Sequence, residues 1–276
     1  MIHTGLQSQP KSVAVIPARY SSTRLPGKPL LEIAGQPLIV WVAQRARAAS
    51  TISRTIVATD DTRIADAVAA AGFDVMMTRA DHKTGTDRIA EVAHNLRADI
   101  IVNVQGDEPL IDPATIDRVA NALAEDETAQ MATTFESIDD AADVLNSSVV
   151  KVAFDKDGYA TDFSRNPIPF PNQAVEKHGS MEAALRHEPA LLFNFKKHTG
   201  LYAYRRAFLL EFTRWPQSER ESKESLEQLR ALDRGVKIKV VEAVSATIGV
   251  DTMEDLERVR AIIERRETAS GAVARQ

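Results

Sequence analysis

The chain has 276 residues, of which 44% are hydrophobic, so it is long enough for one large α/β domain with a buried core. It contains no cysteine, which excludes disulfides, thiolate metal sites and cysteine nucleophiles. The net charge of −5 argues against a nucleic-acid polymer as partner, although a local cluster of cations could hold a small anion. No apolar stretch approaches the roughly 20 residues of a membrane span. The N-terminal residues MIHTGLQSQPKS carry no signal-peptide core, so we expect a cytoplasmic protein without a membrane partner.

The first half of the chain alternates short apolar runs with amphipathic stretches. The apolar runs, which suit buried parallel strands, are residues 13–16, 55–59, 75–78 and 100–104. Helical patterns lie at residues 37–48, 62–71 and 86–95, and Gly72 is placed to end the second. This alternation predicts a doubly wound α/β sheet with right-handed crossovers.

The pattern changes after residue 148. Residues 149–154 and 159–163 flank the turn DKDG and predict an antiparallel hairpin. The stretch LYAYR alternates as a strand does, with Leu201 and Ala203 on one face and Tyr202 and Tyr204 on the other. Further predictions are a helix at 223–232, a strand at 237–242 and a last helix at 252–266, while residues 166–189 show no clear periodicity. We expect a single domain over residues 12–266, a mainly antiparallel subregion at about 148–215, and disordered tails at 1–11 and 267–276.

The loop VIPARYSSTRLPGKPL, which follows the first predicted strand, carries Arg19, Arg24 and Lys28. Gly27 permits a close backbone approach and the prolines restrict the loop, a combination that suits a polyanion such as a nucleoside triphosphate. The alternative is a solvated loop that happens to be basic. No structural partner for Lys28 is evident, so we expect Lys28→Ala to leave the thermal stability nearly unchanged.

The motifs G-x-x-x-x-G-K-[ST] and G-x-G-x-x-G are missing here, which argues against P-loop NTPases and dinucleotide dehydrogenases.

Carboxylates adjoin two further predicted elements, a strand and a helix. The run IVNVQGDEPLID places Asp107 and Glu108 at the end of a buried strand, where a carboxylate could hold Mg²⁺ or simply belong to a turn. Asp251, in IGVDTMEDLERVR, precedes a helix, and the residues alone favour an N-cap role for it. The polar loop RADHKTGTDR opens another helix, whose free amides suit anions and nucleotide edges.

Together these stretches resemble the cytidylyltransferases that activate 3-deoxy-D-manno-octulosonate (Kdo). Eight motifs occur in the family's order: IPARYSSTRLPGKPL, ATDD, TRADHKTGTDR, VNVQGDEP, FSRNPIP, HTGLYAYR, LEQLRAL and GVDTMEDLERVR. The resemblance implies an α/β nucleotidyl-transferase (Rossmann-like) fold, with a mixed sheet flanked by helices and a smaller antiparallel region for sugar binding and dimerisation. It also implies Mg²⁺-dependent conversion of CTP and Kdo into CMP-Kdo and pyrophosphate, for lipopolysaccharide biosynthesis, by a homodimer.

The resemblance assigns roles to individual residues. The catalytic residues would be Lys28, Arg19, Asp107 and Asp251, of which Asp107 and Asp251 would bind Mg²⁺. The nucleotide would contact Arg19, Arg24, Lys28, Arg79, Thr84, Gly85, Gln105 and Asp107. The sugar would contact Arg165, His198, Tyr202, Glu227 and Gln228.

Several alternatives stand beside these roles. His198 could be structural, Tyr202 could pack in the sheet, and Glu227 and Gln228 could lie on an exposed helix face. The stretch QSERESKESLEQLRAL lacks the Pro-Ser-x-Leu-Glu lead-in of the family, which bears on sugar specificity, and Met253 replaces a usual proline. The substrate could therefore be another acidic sugar, such as sialic acid or 8-amino Kdo. A catalytically silent nucleotide-binding protein of the same fold is a further alternative, against which stands the presence of Lys28, Asp107 and Asp251.

Overall fold

The computed structural model describes residues 11–21 and 25–273, the side chains of 266–273 excepted. The strands are β1 (Ser12–Ala18), β2 (Glu32–Ile33), β3 (Gln36–Pro37), β4 (Ile52–Thr59), β5 (Asp74–Met77), β6 (Ile100–Asn103), β7 (Met131–Ser137), β8 (Lys151–Phe154), β9 (Ala160–Ser164), β10 (Lys196–Arg205) and β11 (Ile238–Glu242). The helices are α1 (Leu38–Arg47), α2 (Thr62–Ala70), α3 (Gly85–His94), α4 (Pro113–Glu125), α5 (Ala141–Leu145), α6 (Asn172–His178), α7 (Met181–His187), α8 (Arg206–Phe212), α9 (Glu219–Glu224), α10 (Gln228–Leu232) and α11 (Met253–Val273). Short 3₁₀ helices lie at Lys28–Leu30 and Pro189–Asn194.

A mixed sheet forms the centre of the molecule, in the strand order β11-β7-β10-β6-β1-β4-β5. Strands β6, β1, β4 and β5 are parallel, whereas β10 runs antiparallel to both of its neighbours, β6 and β7. The hairpin β8–β9 joins the sheet through β10. The predicted mixed α/β sheet and the antiparallel hairpin are confirmed. Within the described ranges, no helix combines the length and apolar character that a membrane crossing requires.

Both faces of the sheet are buried, which explains why β1 is apolar from Val13 to Ala18. Ala14 and Ile16 pack in one core cluster, and Val13 and Val15 pack in the cluster on the opposite face. The same alternation holds in β10, where Leu201 and Ala203 belong to the first cluster and Tyr202 and Tyr204 to the second. The predicted two-faced alternation of LYAYR is therefore confirmed.

Some elements were not predicted from the sequence. Strand β7 lies between β10 and β11, and α4 begins after Asp112, whose carboxylate accepts a hydrogen bond from the Ala114 amide at 2.9 Å. The unassigned stretch 166–189 contains α6 and α7. Helix α11 continues to Val273, beyond the predicted end at residue 266. Of the expected tails at 1–11 and 267–276, residues 1–10 and 274–276 lie outside the described residues.

The helix predicted at 223–232 is in fact two helices, α9 and α10. Between them Ser225 takes a left-handed conformation with φ of 55°. The break lets Arg230 turn back onto Glu221, with Nε–Oε2 and Nη2–Oε1 distances of 2.7 and 2.5 Å. In one continuous helix these two residues would lie about 13 Å apart along the axis and on opposite faces. The buried ion pair therefore requires the break.

A close backbone approach brings the loop after β6 against the end of β1. A Cβ atom on Gly106 would lie 2.6 Å from the carbonyl oxygen of Pro17. Only glycine fits this position without a backbone shift. Gly106 thereby sets the place of the residue that follows it, Asp107.

We predict that Gly106→Ala lowers the free energy of unfolding by about 1–3 kcal/mol, the usual cost of overpacking. Gly249→Ala is the matched control, because nothing lies within 4 Å of the Cβ that it adds. Urea unfolding of both variants and the wild type measures the difference. Equal stability of the two variants would contradict the close approach.

Candidate active site

The candidate site lies at the carboxyl ends of the neighbouring parallel strands β1 and β6. The loop after β1 carries Arg19 and Lys28, and the loop after β6 carries Gln105 and Asp107. The segment before α11 joins them, because the amide of Val250 donates to the carbonyl oxygen of Asp107 at 2.9 Å. Ligands of open α/β sheets bind at this edge.

The ammonium of Lys28 lies between two carboxylates. Its Nζ donates to Oδ2 of Asp107 at 2.7 Å and to Oδ1 of Asp251 at 3.1 Å. Burial alone would lower the pKa of Lys28, but the charges and hydrogen bonds of Asp107 and Asp251 outweigh this effect and raise it. Lys28 is therefore a cation at neutral pH. The expectation that it has no structural partner is wrong, since both partners are remote in sequence.

The two carboxylates suit a magnesium ion. Both reach one point, which the Lys28 ammonium marks, and Mg²⁺ takes one or two protein carboxylates together with water and phosphate oxygens. Across residues 11–21 and 25–265, no group of three or more His, Cys, Asp or Glu side chains could hold a metal ion. Asp107 and Asp251 thus fit a metal that also binds its substrate, rather than one enclosed by protein ligands.

Thr252, rather than Asp251, makes the capping bonds at the start of α11. Its hydroxyl accepts from the Asp255 amide at 3.2 Å, and the Asp255 carboxylate accepts from the Thr252 amide at 2.9 Å. This reciprocal pair is a capping box. The Asp251 carboxylate instead contacts Lys28, one residue before the cap.

The loop before α3 adjoins the loop after β1, which carries Arg19 and Lys28. Nη2 of Arg19 donates to the carbonyl oxygen of Lys83 at 3.1 Å. Thr84 then caps α3 through a hydrogen bond from the Asp87 amide at 3.0 Å, so the helix begins at Gly85 beside the site. Arg24 lies outside the described residues.

Arg79 lies apart from the other residues predicted to contact the nucleotide. Its side chain is 69% exposed and pairs with Asp81 at 3.2 Å. It lines an outer cleft of about 760 Å³ beside α3, whereas Gly85 and Gln105 line a smaller cavity near Asp107. The structure therefore does not bring Arg79 together with that pair.

The smaller cavity, of about 170 Å³, brings predicted nucleotide and sugar residues together. Its lining residues are Gly85, Thr86, Asn103, Gln105, Tyr202, Tyr204, Glu227 and Gln228. Oε2 of Glu227 accepts a hydrogen bond from the Thr86 hydroxyl at 2.5 Å, and Oε1 of Glu227 lies 3.5 Å from Nη2 of Arg230. Burial raises the pKa of Glu227, although Thr86 and Arg230 act in the opposite direction. The cavity is polar, and its lining residue Gln105 lies two positions before Asp107 in the loop after β6.

His198 and Arg165 are not among the residues that line the cavity. The His198 ring lies behind Tyr202, at 5.4 Å between centroids, and its Nε2 is 3.0 Å from the Thr133 hydroxyl. Burial lowers the pKa of His198 to about 3, so the ring is neutral at physiological pH. Arg165 donates to the carbonyl oxygens of Glu224 and Ser147 at 2.7 and 3.1 Å.

Several residues of this site are not predicted from the sequence. Thr86 and Tyr204 lie within a predicted helix and a predicted strand, but nothing in those patterns marks their side chains as site residues. Asn103 could have been predicted as a site residue from the sequence, because it is a polar residue within the buried strand β6. Thr133 belongs to β7, a strand that was not predicted.

Comparison with known proteins decides the family. Residues 13–238 match the family described as Cytidylyltransferase. The chain belongs to the cytidylyltransferase family. This cytidylyltransferase is 50% identical to the 3-deoxy-manno-octulosonate cytidylyltransferase of Geobacter sulfurreducens, covering 89% of this chain and 96% of that protein. It is 51% identical to the enzyme of the same name from Pseudomonas fluorescens, covering 91% and 97%.

A solved structure agrees with this assignment. The structure of CMP:2-keto-3-deoxy-manno-octonic acid synthetase complexed with CTP superposes on this cytidylyltransferase with a TM-score of 0.83 at 43% identity. The match covers 93% of this chain and 99% of the other. The resemblance seen in the motifs is confirmed.

We predict that Asp251→Asn melts close to the wild-type temperature, because Thr252 caps α11, but loses most turnover and needs far more Mg²⁺. An amide oxygen carries no net charge to offset that of the metal. The measurements are a thermal melt and a Mg²⁺ titration of nucleotidyl transfer.

Thr252→Val is the matched control for this variant. It should lose about 0.5–2 kcal/mol of stability through the cap and keep the wild-type Mg²⁺ dependence. An unchanged metal requirement in Asp251→Asn would remove Asp251 from the metal site.

Proposed function

We propose that this protein is a Kdo cytidylyltransferase, which converts CTP and Kdo into CMP-Kdo and pyrophosphate and so activates Kdo for lipopolysaccharide biosynthesis. The observation that carries the proposal is the Lys28–Asp107–Asp251 cluster beside a small polar cavity. Relatives that bear this enzyme name at about half identity over most of both chains support the choice of sugar.

In this proposal the loop after β1 binds the triphosphate. Arg19, Arg24 and Lys28 supply the positive charge, and Lys28 neutralises the charge that develops at the α-phosphate. Asp107 and Asp251 would hold Mg²⁺, which when bound would supply further charge neutralisation for the phosphates. Because phosphoryl-type transfer rests on positioning and charge, no covalent enzyme nucleophile is needed.

The cytidine and the sugar occupy adjoining positions. Thr84, Gly85 and Gln105 contact the cytidine at the start of α3 and the end of β6. Arg79, which pairs with Asp81 in the outer cleft, is left out of this set. The anomeric hydroxyl of the sugar attacks the α-phosphorus in line, and pyrophosphate leaves.

Tyr202, Glu227 and Gln228 form the sugar-binding surface. His198 supports it from behind Tyr202 as a neutral side chain, and Arg165 fixes the end of α9 through the carbonyl oxygen of Glu224. Glu227 and Tyr202 are thus direct contacts in this proposal, whereas His198 and Arg165 position them.

We also propose that the enzyme is a cytoplasmic homodimer, joined through the antiparallel subregion at about 148–215. Large apolar side chains are exposed there, Phe170 by 50% and Phe193 by 80%. Exposed aromatic side chains of this size suit burial against a partner surface. A second copy of the chain would cover them. A cytoplasmic location fits the use of CTP.

The proposed function predicts pyrophosphate release only with CTP and Kdo. The assay combines Mg²⁺ and each of ATP, GTP, UTP and CTP with Kdo, sialic acid or 8-amino Kdo, and reactions without sugar are the control. Preference for sialic acid or the amino sugar would overturn the choice of Kdo. Absence of turnover in every combination, from folded protein, would support a catalytically silent protein.

A further inference from the structure

Asn103 and Gln228 line the small cavity, and each has one buried amide atom without a hydrogen-bond partner among the described residues. Asn103, the last residue of β6, is 3% exposed, and Gln228, the first residue of α10, is 5% exposed. Oδ1 of Asn103 and Nε2 of Gln228 are sealed from solvent and find no partner among the described residues. One is a hydrogen-bond acceptor and the other a donor.

Packing gives no reason for an amide at position 103. The other residues of β6 are Ile100, Ile101 and Val102, and all are fully buried and apolar. A leucine, which has nearly the shape of asparagine, would avoid the cost of burying an unpaired polar group. The register of the sheet instead places Asn103 opposite Tyr202, which also lines the cavity. Asn103 therefore lies at the cavity wall, where a small movement of its side chain would let a ligand supply the missing hydrogen bond.

We propose that Asn103 and Gln228 together recognise one hydroxyl group of the sugar acid, and that Asn103 determines sugar specificity. This inference rests on the proposed function. A hydroxyl is both donor and acceptor, so it can donate to Oδ1 of Asn103 and accept from Nε2 of Gln228. With the two amides oriented as in this structure, a carboxylate, which only accepts, would leave Oδ1 unpaired, and an ammonium, which only donates, would leave Nε2 unpaired. In these orientations the pair selects a neutral alcohol at this position of the sugar.

Steady-state kinetics and a thermal melt of Asn103→Leu test the inference. We expect the KM for Kdo to rise roughly tenfold, the range of one lost hydrogen bond, while the KM for CTP stays within about twofold. The melting temperature should equal or exceed that of the wild type, because a buried unpaired amide is removed. A merely structural role would lower the melting temperature and affect both substrates.

Thr55→Val is the matched control. Oγ1 of Thr55 is also buried without a partner, but it lies on β4, beside a different cavity that contains Arg47 and Phe73. This variant should hold or raise the melting temperature and leave both KM values unchanged.

Kdo analogues that each lack one hydroxyl, other than the anomeric one, identify the group that is read. One analogue should have a kcat/KM roughly tenfold below that of Kdo with the wild type, and a kcat/KM equal to that of Kdo with Asn103→Leu. Additive losses for every analogue, or an unchanged KM for Kdo in the variant, would overturn the inference while the proposed function stands. Failure of the wild type to convert Kdo would overturn both.

Discussion

The candidate active site depends on one interaction, the placement of a single ammonium between two carboxylates. Asp107 and Asp251 are 79 and 223 residues from Lys28 in sequence, so three distant segments must meet at one point. The backbone arranges this meeting through the Val250–Asp107 hydrogen bond and the close approach of Gly106 to Pro17. A cation already lies where two negative charges would otherwise repel each other. In the proposed reaction, the two carboxylates can hold a metal and the ammonium can hold phosphates.

The nucleotide side and the sugar side of the site are joined by α3 and α10. Thr86, in the first turn of α3, donates to Glu227, which immediately precedes α10. The buried pair of Glu221 and Arg230 fixes α10 in turn. Removal of one partner of such a buried pair would leave an uncompensated charge, which is more costly than the pair itself. The position of Glu227 is thus supported from two directions.

Sequence patterns predicted those elements whose residues alternate according to which face of the element is buried. The apolar run of β1 and the alternation of Leu201 and Tyr202 in β10 follow from which faces are buried, and both were predicted. The break at Ser225 was not, because it depends on a side-chain pair that forms only in the folded chain. Likewise, no local signal distinguishes Thr252 from Asp251 as the cap, and none reveals the partners of Lys28. The loop itself was predicted because charge, proline and glycine coincide in one short segment.

Binding of Mg²⁺ to the Lys28→Ala variant, measured by calorimetry without nucleotide, tests the central claim most directly. In the wild type the ammonium competes with a metal for Asp107 and Asp251, whereas in the variant it is gone. We predict tighter Mg²⁺ binding than in the wild type together with a severe loss of turnover, since the cation that stabilises the α-phosphate is also lost. Weaker Mg²⁺ binding, or turnover that is retained, would contradict the account.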